Sequence, residues 1–132
     1  MSGETNLQAL LQNMNPELND GLYVFCTLDH KENPIIPSTT IAWFHEREGV
    51  TVVLPKSQAD KLGLPYANVF AWITLNIHSS LDAVGLTAAV SQALSHADIS
   101  CNIIAAYYHD HLFVPVETAH HALEILHNLT MT

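Results

Sequence analysis

Basic residues are scarce: four Lys plus Arg stand against thirteen Asp plus Glu, a formal net charge of −9. A surface of that sign repels phosphate backbones and anionic headgroups, which excludes nucleic acid and membrane surfaces as partners and leaves a small molecule or another protein. Cysteine is scarce too. Cys26 and Cys101 sit inside apolar strand patterns without C-x-x-C spacing, so the sequence predicts buried, reduced thiols, not a disulfide framework or a zinc site. No apolar run reaches the roughly eighteen residues of a membrane helix, and no cationic segment with a long apolar run precedes Gly21, so a soluble, cytoplasmic protein is expected. G-x-G-x-x-G, the phosphate-binding loop and the G-x-S-x-G elbow are all missing, so no catalytic residue and no cofactor is expected.

What is present is organised around one strand. In Phe70–His78 the apolar residues Ala71, Ile73, Leu75 and Ile77 alternate with Phe70, Trp72, Thr74, Asn76 and His78, a strand with one face committed to a core. Ser79-x-x-Asp82 follows as a variant capping box, predicting a helix from that point with Ala83, Leu86, Val90, Leu94 and Ala97 inward. The free N–H groups of such a helix start make the Ser79 to Gly85 turn either a plain cap or a site for a carboxylate.

At 132 residues the chain suits one compact domain or two very small ones sharing a core. Thr5-x-x-Gln8 opens a short helix to about Met14, with Leu7, Leu10, Leu11 and Met14 on one stripe. Asn15-Pro16 and Asn19-Asp20-Gly21 read as breakers, and Leu22–Leu28 as the first strand. Asp29 to Ser38, with Pro34 and Pro37, is a loop. Thr40–His45 and Val50–Leu54 form a hairpin around Glu46-Arg47-Glu48-Gly49, and Pro55 to Leu62 a short helix stopped by Gly63. Ile99–Tyr108 and Leu112–Val116 form a second hairpin around His109-Asp110-His111. A last helix turns Ala119, Ala122, Leu123, Leu126 and Leu129 inward. The hairpins echo each other, which points to an internal duplication and an α+β fold of antiparallel sheets with helices on one face.

The runs Trp72-Ile-Thr-Leu, His78-Ser-Ser-Leu, Ala83–Val90, Cys101-Asn102 and Tyr107–Val116, with Gly21–Phe25 and Trp43–Leu54 in the first half, resemble the small bacterial proteins that carry tandem ACT-type domains. The ACT-like domains of the arginine sensor CASTOR are more distant relatives. The resemblance covers nearly the whole chain. It implies two tandem ferredoxin-like βαββαβ units, an N-terminal ACT-like unit over 1–66 and a C-terminal ACT domain over 67–132. It also implies a small effector meeting the loop after the first strand, here His78 to Gly85. The pattern departs at the C-terminus, where only Thr130-Met-Thr132 follows the last helix and the second unit lacks its own closing strand.

Several residues carry competing readings. His109 and His111 on one strand would face the same way and suit a metal, yet as a hairpin turn they are simply polar. A metal needs further ligands, with His78 and His45 as candidates, and no metal is expected. Thr74, Asn76, His78 and Asn102 are polar residues in apolar strands and require partners, whether one another, a subunit or a ligand. Trp43 and Trp72 suit a core or an interface better than a pocket wall. The resulting expectation is a non-catalytic, ACT-type module that binds a small amino-acid-like effector and assembles as a homodimer or larger. Its ligand-binding residues would be His78, Ser79, Ser80, Leu81, Asp82, Gly85, Asn102 and His109. The rival is a protein-interaction module without a small-molecule ligand.

Overall fold

The computed structural model describes residues 6–29, 34–77 and 85–131. The elements run α1 (Leu7–Gln12), β1 (Pro16–Leu18), β2 (Tyr23–Asp29), β3 (Ala42–His45), β4 (Gly49–Pro55), α2 (Lys56–Leu62), β5 (Phe70–Leu75), α3 (Leu86–His96), β6 (Asn102–Ala105), β7 (Asp110–Pro115), a 3-10 turn (Val116–Thr118) and α4 (Ala119–Thr130). They group into two compact units, one from Met1–Asp20 with Ala71–Thr132, the other from Gly21–Phe70. Chain order and spatial grouping differ, because the N-terminal segment belongs with the C-terminal half.

In the unit built on Ala71–Thr132 the strands lie in the order β1, β5, β7, β6. β1 pairs antiparallel with β5, Pro16 opposite Leu75 and Leu18 opposite Ile73. The residues read as breakers therefore flank a strand: Pro16 opens it, a position where a missing N–H is tolerated. This strand occupies the place of the closing strand that the C-terminus lacks. Ala71, Ile73 and Leu75 of β5 pack with Leu112 and Val114 of β7 and with Leu10, Met14, Leu86, Val90, Leu94, Ala122 and Leu126 of the helical segments. The period-two and period-3.6 stripes thus meet in one core, which is why the alternation along β5 was legible.

Two helix starts differ from expectation. α1 is capped by Asn6, whose side chain accepts from the Ala9 N–H, not by the Thr5-x-x-Gln8 pattern. α3 begins at Leu86 with Gly85 as N-cap at φ 100°. A helix capped at Ser79 would carry Gly85 in its interior, and a residue with that φ ends a helical run. Ser79 to Ala83 lie outside the described residues. The second hairpin also shifts: the Ala106 N–H donates to the His109 carbonyl at 3.0 Å, so Tyr107 and Tyr108 make the turn while Asp110 and His111 belong to β7.

In the unit Gly21–Phe70 the order is β3, β4, β2. β2 pairs antiparallel with β4 from Tyr23 opposite Pro55 to Asp29 opposite Gly49, and Tyr23 also pairs with Phe70. Val24, Cys26, Val50, Val52, Leu54 and Ala59 form its core. Gly49 is obligatory, since a Cβ there would sit 2.7 Å from the Leu28 carbonyl oxygen. α2 ends at Gly63 with φ 70°, as its sequence predicts. Among the described residues between Asp29 and Ala42 there is no helix. Each hairpin leads into a helix through a proline of nearly equal geometry, Pro55 (φ −58°, ψ 138°) and Pro115 (φ −52°, ψ 135°).

Candidate functional site

The polar face of β5 is where the demand for partners falls. Thr74 is buried, and the Asn19 side chain donates to its hydroxyl at 2.9 Å and to the Trp72 carbonyl at 3.2 Å. Asn76 donates to the Asn15 carbonyl and to the Glu17 carboxylate, at 3.3 and 3.2 Å. All four of these bonds involve residues 15–19, the segment that carries β1. Of the four polar strand residues whose partners the sequence left open, Thr74 and Asn76 are therefore satisfied within the unit, Asn102 is exposed, and His78 lies outside the described residues.

Next to them, Trp72 Nε1–H donates to His111 Nδ1 at 3.0 Å, and the Thr74 hydroxyl is 3.2 Å from the same nitrogen. An indole N–H is a donor only, so Nδ1 accepts and the neutral ring carries its proton on Nε2. Burial lowers the His111 pKa, and the charge of His109 acts in the same direction. Phe113 stacks on Trp72 with ring centroids 6.3 Å apart.

The far end of β5 gathers a second group. His109 Nδ1 lies 3.4 Å from the Ile77 carbonyl, which places the start of β7 beside the point where the chain leaves β5 toward Gly85. Asp110 follows. It pairs with Ala105 and shares the parity of Leu112 and Val114, so it lies on the core side of the sheet, and it is only 7% exposed. Burial pushes its pKa up, and His109 opposes the shift only partly.

Of the residues expected from the sequence, His78, Ser79, Ser80, Leu81 and Asp82 lie outside the described residues. Gly85 caps α3, with the Leu7 side chain 3.2 Å from where its Cβ would stand. His109 stands at the exit of β5. Asn102 is exposed and opposite Phe113, four residues further along β7 and therefore about 13 Å from His109 at the usual strand rise. The structure brings His109 to the end of β5 and leaves Asn102 at the other end of the sheet edge. Asp110 was missed because the sequence read it as the middle of a turn. Its signal was an acid followed by alternating apolar residues, Leu112 and Val114. Among the described residues no group of three or more His, Cys, Asp or Glu side chains suits a metal ion, and no helix is long and apolar enough to cross a membrane.

A family model described as ACT domain matches residues 2–71, and a second, also described as ACT domain, matches residues 70–128. The chain belongs to the ACT domain family. It carries two such domains in tandem, with the ferredoxin-like antiparallel strands and helices of that fold. ACT domains are typically regulatory modules that bind small molecules. A crystal structure of a Vibrio cholerae protein of unknown function, a possible transport protein, is 46% identical to this ACT protein, with a TM-score of 0.84 over 94% of this chain and 95% of that one. An Agrobacterium tumefaciens protein is 17% identical, with a TM-score of 0.66 over 87% of each chain. The α and β subunits of aspartokinase are 10% identical, with a TM-score of 0.60 over 89% of this chain and 97% of that one. The last two likenesses concern the fold alone. No curated protein matches the chain.

Proposed function

We propose that this ACT protein is a non-catalytic regulatory module that binds a small amino-acid-like effector where β5 ends and α3 begins, and that it works in the cytoplasm as a homodimer or larger assembly. The observation that carries the reading is the placement of His109 at the exit of β5, in a fold whose members typically bind small molecules. Ser79, Ser80, Leu81, Asp82 and Gly85 would meet the effector's backbone and charges, with His78, His109 and Asn102 contributing side-chain contacts. Free Cys26 and Cys101 suit a reducing compartment.

The test is thermal unfolding against a panel of amino acids and related metabolites. A ligand that binds only the folded state adds about 2.7 kcal/mol at a hundred times its dissociation constant. One compound, or a chemically related set, is expected to raise the midpoint. A flat panel would remove the effector reading.

A second reading, the protein-interaction module, has its own support in β3. Among the described residues this edge strand pairs with β4 alone, and it exposes Trp43 at 54% and Phe44 at 70%. Edge strands are normally guarded by charge or proline, and Ile41-Ala42-Trp43-Phe44 has neither. Pairing of two such edges would build a homodimer, so Phe44→Glu is expected to shift the sedimenting species toward monomer while leaving the midpoint of unfolding at high dilution unchanged. Equal sedimentation of both forms would place the contact elsewhere.

A further inference from the structure

We propose that His111 is a proton-operated latch on β1: when its ring takes up a second proton, residues 15–19 come away from β5 while the rest of the unit stays folded. The latch works with or without an effector and makes the closure of this ACT sheet depend on pH.

The bonds that hold this corner have a fixed direction. The Trp72 carbonyl can only accept, and it takes the Asn19 backbone N–H at 2.9 Å and one side-chain N–H at 3.2 Å. The other N–H of that amide goes to the Thr74 hydroxyl at 2.9 Å, which leaves the hydroxyl proton for His111 Nδ1, 3.2 Å away. The Trp72 indole, a donor only, closes on the same nitrogen at 3.0 Å. A neutral ring accepts both. An imidazolium has no acceptor at all. Its new N–H meets the indole N–H head on, and turning the ring away strips Trp72 and Thr74 of the acceptor they share. The Thr74 hydroxyl could take the new proton only by sending its own elsewhere, and among the described residues its partners are Asn19 and His111 alone. Thr74 is 7% exposed, so water replaces them only if the corner opens.

β1 is the element that yields. It is three residues long and opens on a proline without an N–H, so it has few ladder bonds of its own. Its hold on β5 leans on the Asn19 side chain and, at the other end, on Asn76, whose amide reaches the Asn15 carbonyl and the Glu17 carboxylate. α1 is held separately, through the fully buried Leu10 and, just beyond it, Met14. The groups around the ring offer the new cation no free counter-charge. β7 itself brings His109 on the same face, a like charge once protonated, and Asp110 on the opposite one. β6 brings Ile104 across from His111, β5 brings Trp72 and Thr74, and β1 brings Glu17, whose carboxylate is engaged by Asn76. Burial and His109 both lower the His111 pKa, as expected of a ring whose neutral form alone suits its neighbours.

The experiment combines NMR titration with amide hydrogen exchange on the full chain, from about pH 8 to about pH 5. The indole N–H resonance of Trp72, assigned with Trp43→Phe, should shift with the same midpoint as the His111 ring. Protection of the Asn19 and Asn76 amides, which bond to the Trp72 and Asn15 carbonyls, is corrected for intrinsic exchange rates. It should fall by up to about tenfold per pH unit below roughly 6.5, the linkage for one proton bound by the open form. It should also stay below the protection of Leu126 in α4. In His111→Gln, whose amide oxygen still accepts from Trp72, the protection of Asn19 and Asn76 should no longer depend on pH. A Trp72 resonance that ignores the His111 titration would overturn the proposal. Equal protection at Asn19 and Leu126 would do so too, because β1 would then leave only when the whole unit unfolds. An undiminished pH response in His111→Gln would assign the proton to another group, His109 or Glu17, and end the latch.

Discussion

Trp72 and His111 illustrate how one hydrogen bond sets a protonation state. Because the indole can only donate, a proton on His111 Nδ1 would oppose two N–H groups across 3.0 Å. Burial works the same way, so the folded pKa lies below that of the unfolded chain. The unfolded state then binds more protons between the two values, and stability falls as pH drops through about 6.5 toward the lowered pKa. Asp110 contributes with the opposite slope at lower pH: its raised pKa means stability is lost as pH rises from about 3.8 through the folded value. Thermal midpoints measured from pH 8 to pH 5 should therefore fall more steeply for the native chain than for His111→Gln, whose amide oxygen can still accept from Trp72. Parallel curves would show that His111 does not carry the dependence. Asn19 offers a pH-independent check on the same cluster. Asn19→Ala removes donors to the Trp72 carbonyl and the Thr74 hydroxyl, and should destabilise by about 1–3 kcal/mol in denaturant unfolding.

Among the elements, the two mid-chain helices end in the same way with different residues. Gly63 closes α2 at φ 70°, and Asp98 follows α3 at φ 60° with its N–H on the Ser95 carbonyl and the next N–H, of Ile99, on that of Leu94. Left-handed backbone suits glycine, and a carboxylate at a helix C-terminus meets the negative end of the helix dipole. Asp98→Gly should therefore stabilise by about 1 kcal/mol and Gly63→Ala destabilise by about as much, read as opposite shifts in the denaturant midpoint. A stabilised Gly63→Ala would contradict the backbone argument. These helix ends also mark what was legible. Gly63 announced its role, as did the long stripes of α4 and β5, because several residues repeat one period. Asp98 did not, since aspartate is common in any polar link. The β6–β7 turn was ambiguous for a similar reason: Tyr107, Tyr108, His109, Asp110 and His111 suit strand or turn alike, and a two-residue shift moved Asp110 from solvent to core. β1 was hidden for another. The three residues Pro16–Leu18, set between Asn15 and Asn19-Asp20-Gly21, are too few to display alternation, and their strand character comes from β5, which is distant in sequence.

At the scale of the whole molecule, that hidden strand decides how the ACT fold closes. The fold class and the family were readable from the sequence, yet the partners of the polar residues of β5 were left open because they stand 55 to 61 residues earlier, around β1. Residues 1–20 are thus part of the C-terminal unit, although in sequence they precede the other one. They supply Leu10 and Met14, both fully buried, the strand beside β5, and the bonds to Thr74 and Asn76. Removing them would empty two core positions, each worth about 2–5 kcal/mol by comparison with truncation to alanine, and would bare an edge of β5 that displays Trp72 and Thr74. Those losses together match the whole stability of a small domain. A chain starting at Gly21 should accordingly lose the near-ultraviolet dichroism of Trp72 and the dispersed amide signals of Ala71–Met131. A peptide of residues 1–20 added in trans should restore them, since the strand's position in the sheet does not require its covalent link. Retention of the native spectrum by the truncated chain would mean that β5, β7 and β6 close their sheet without β1.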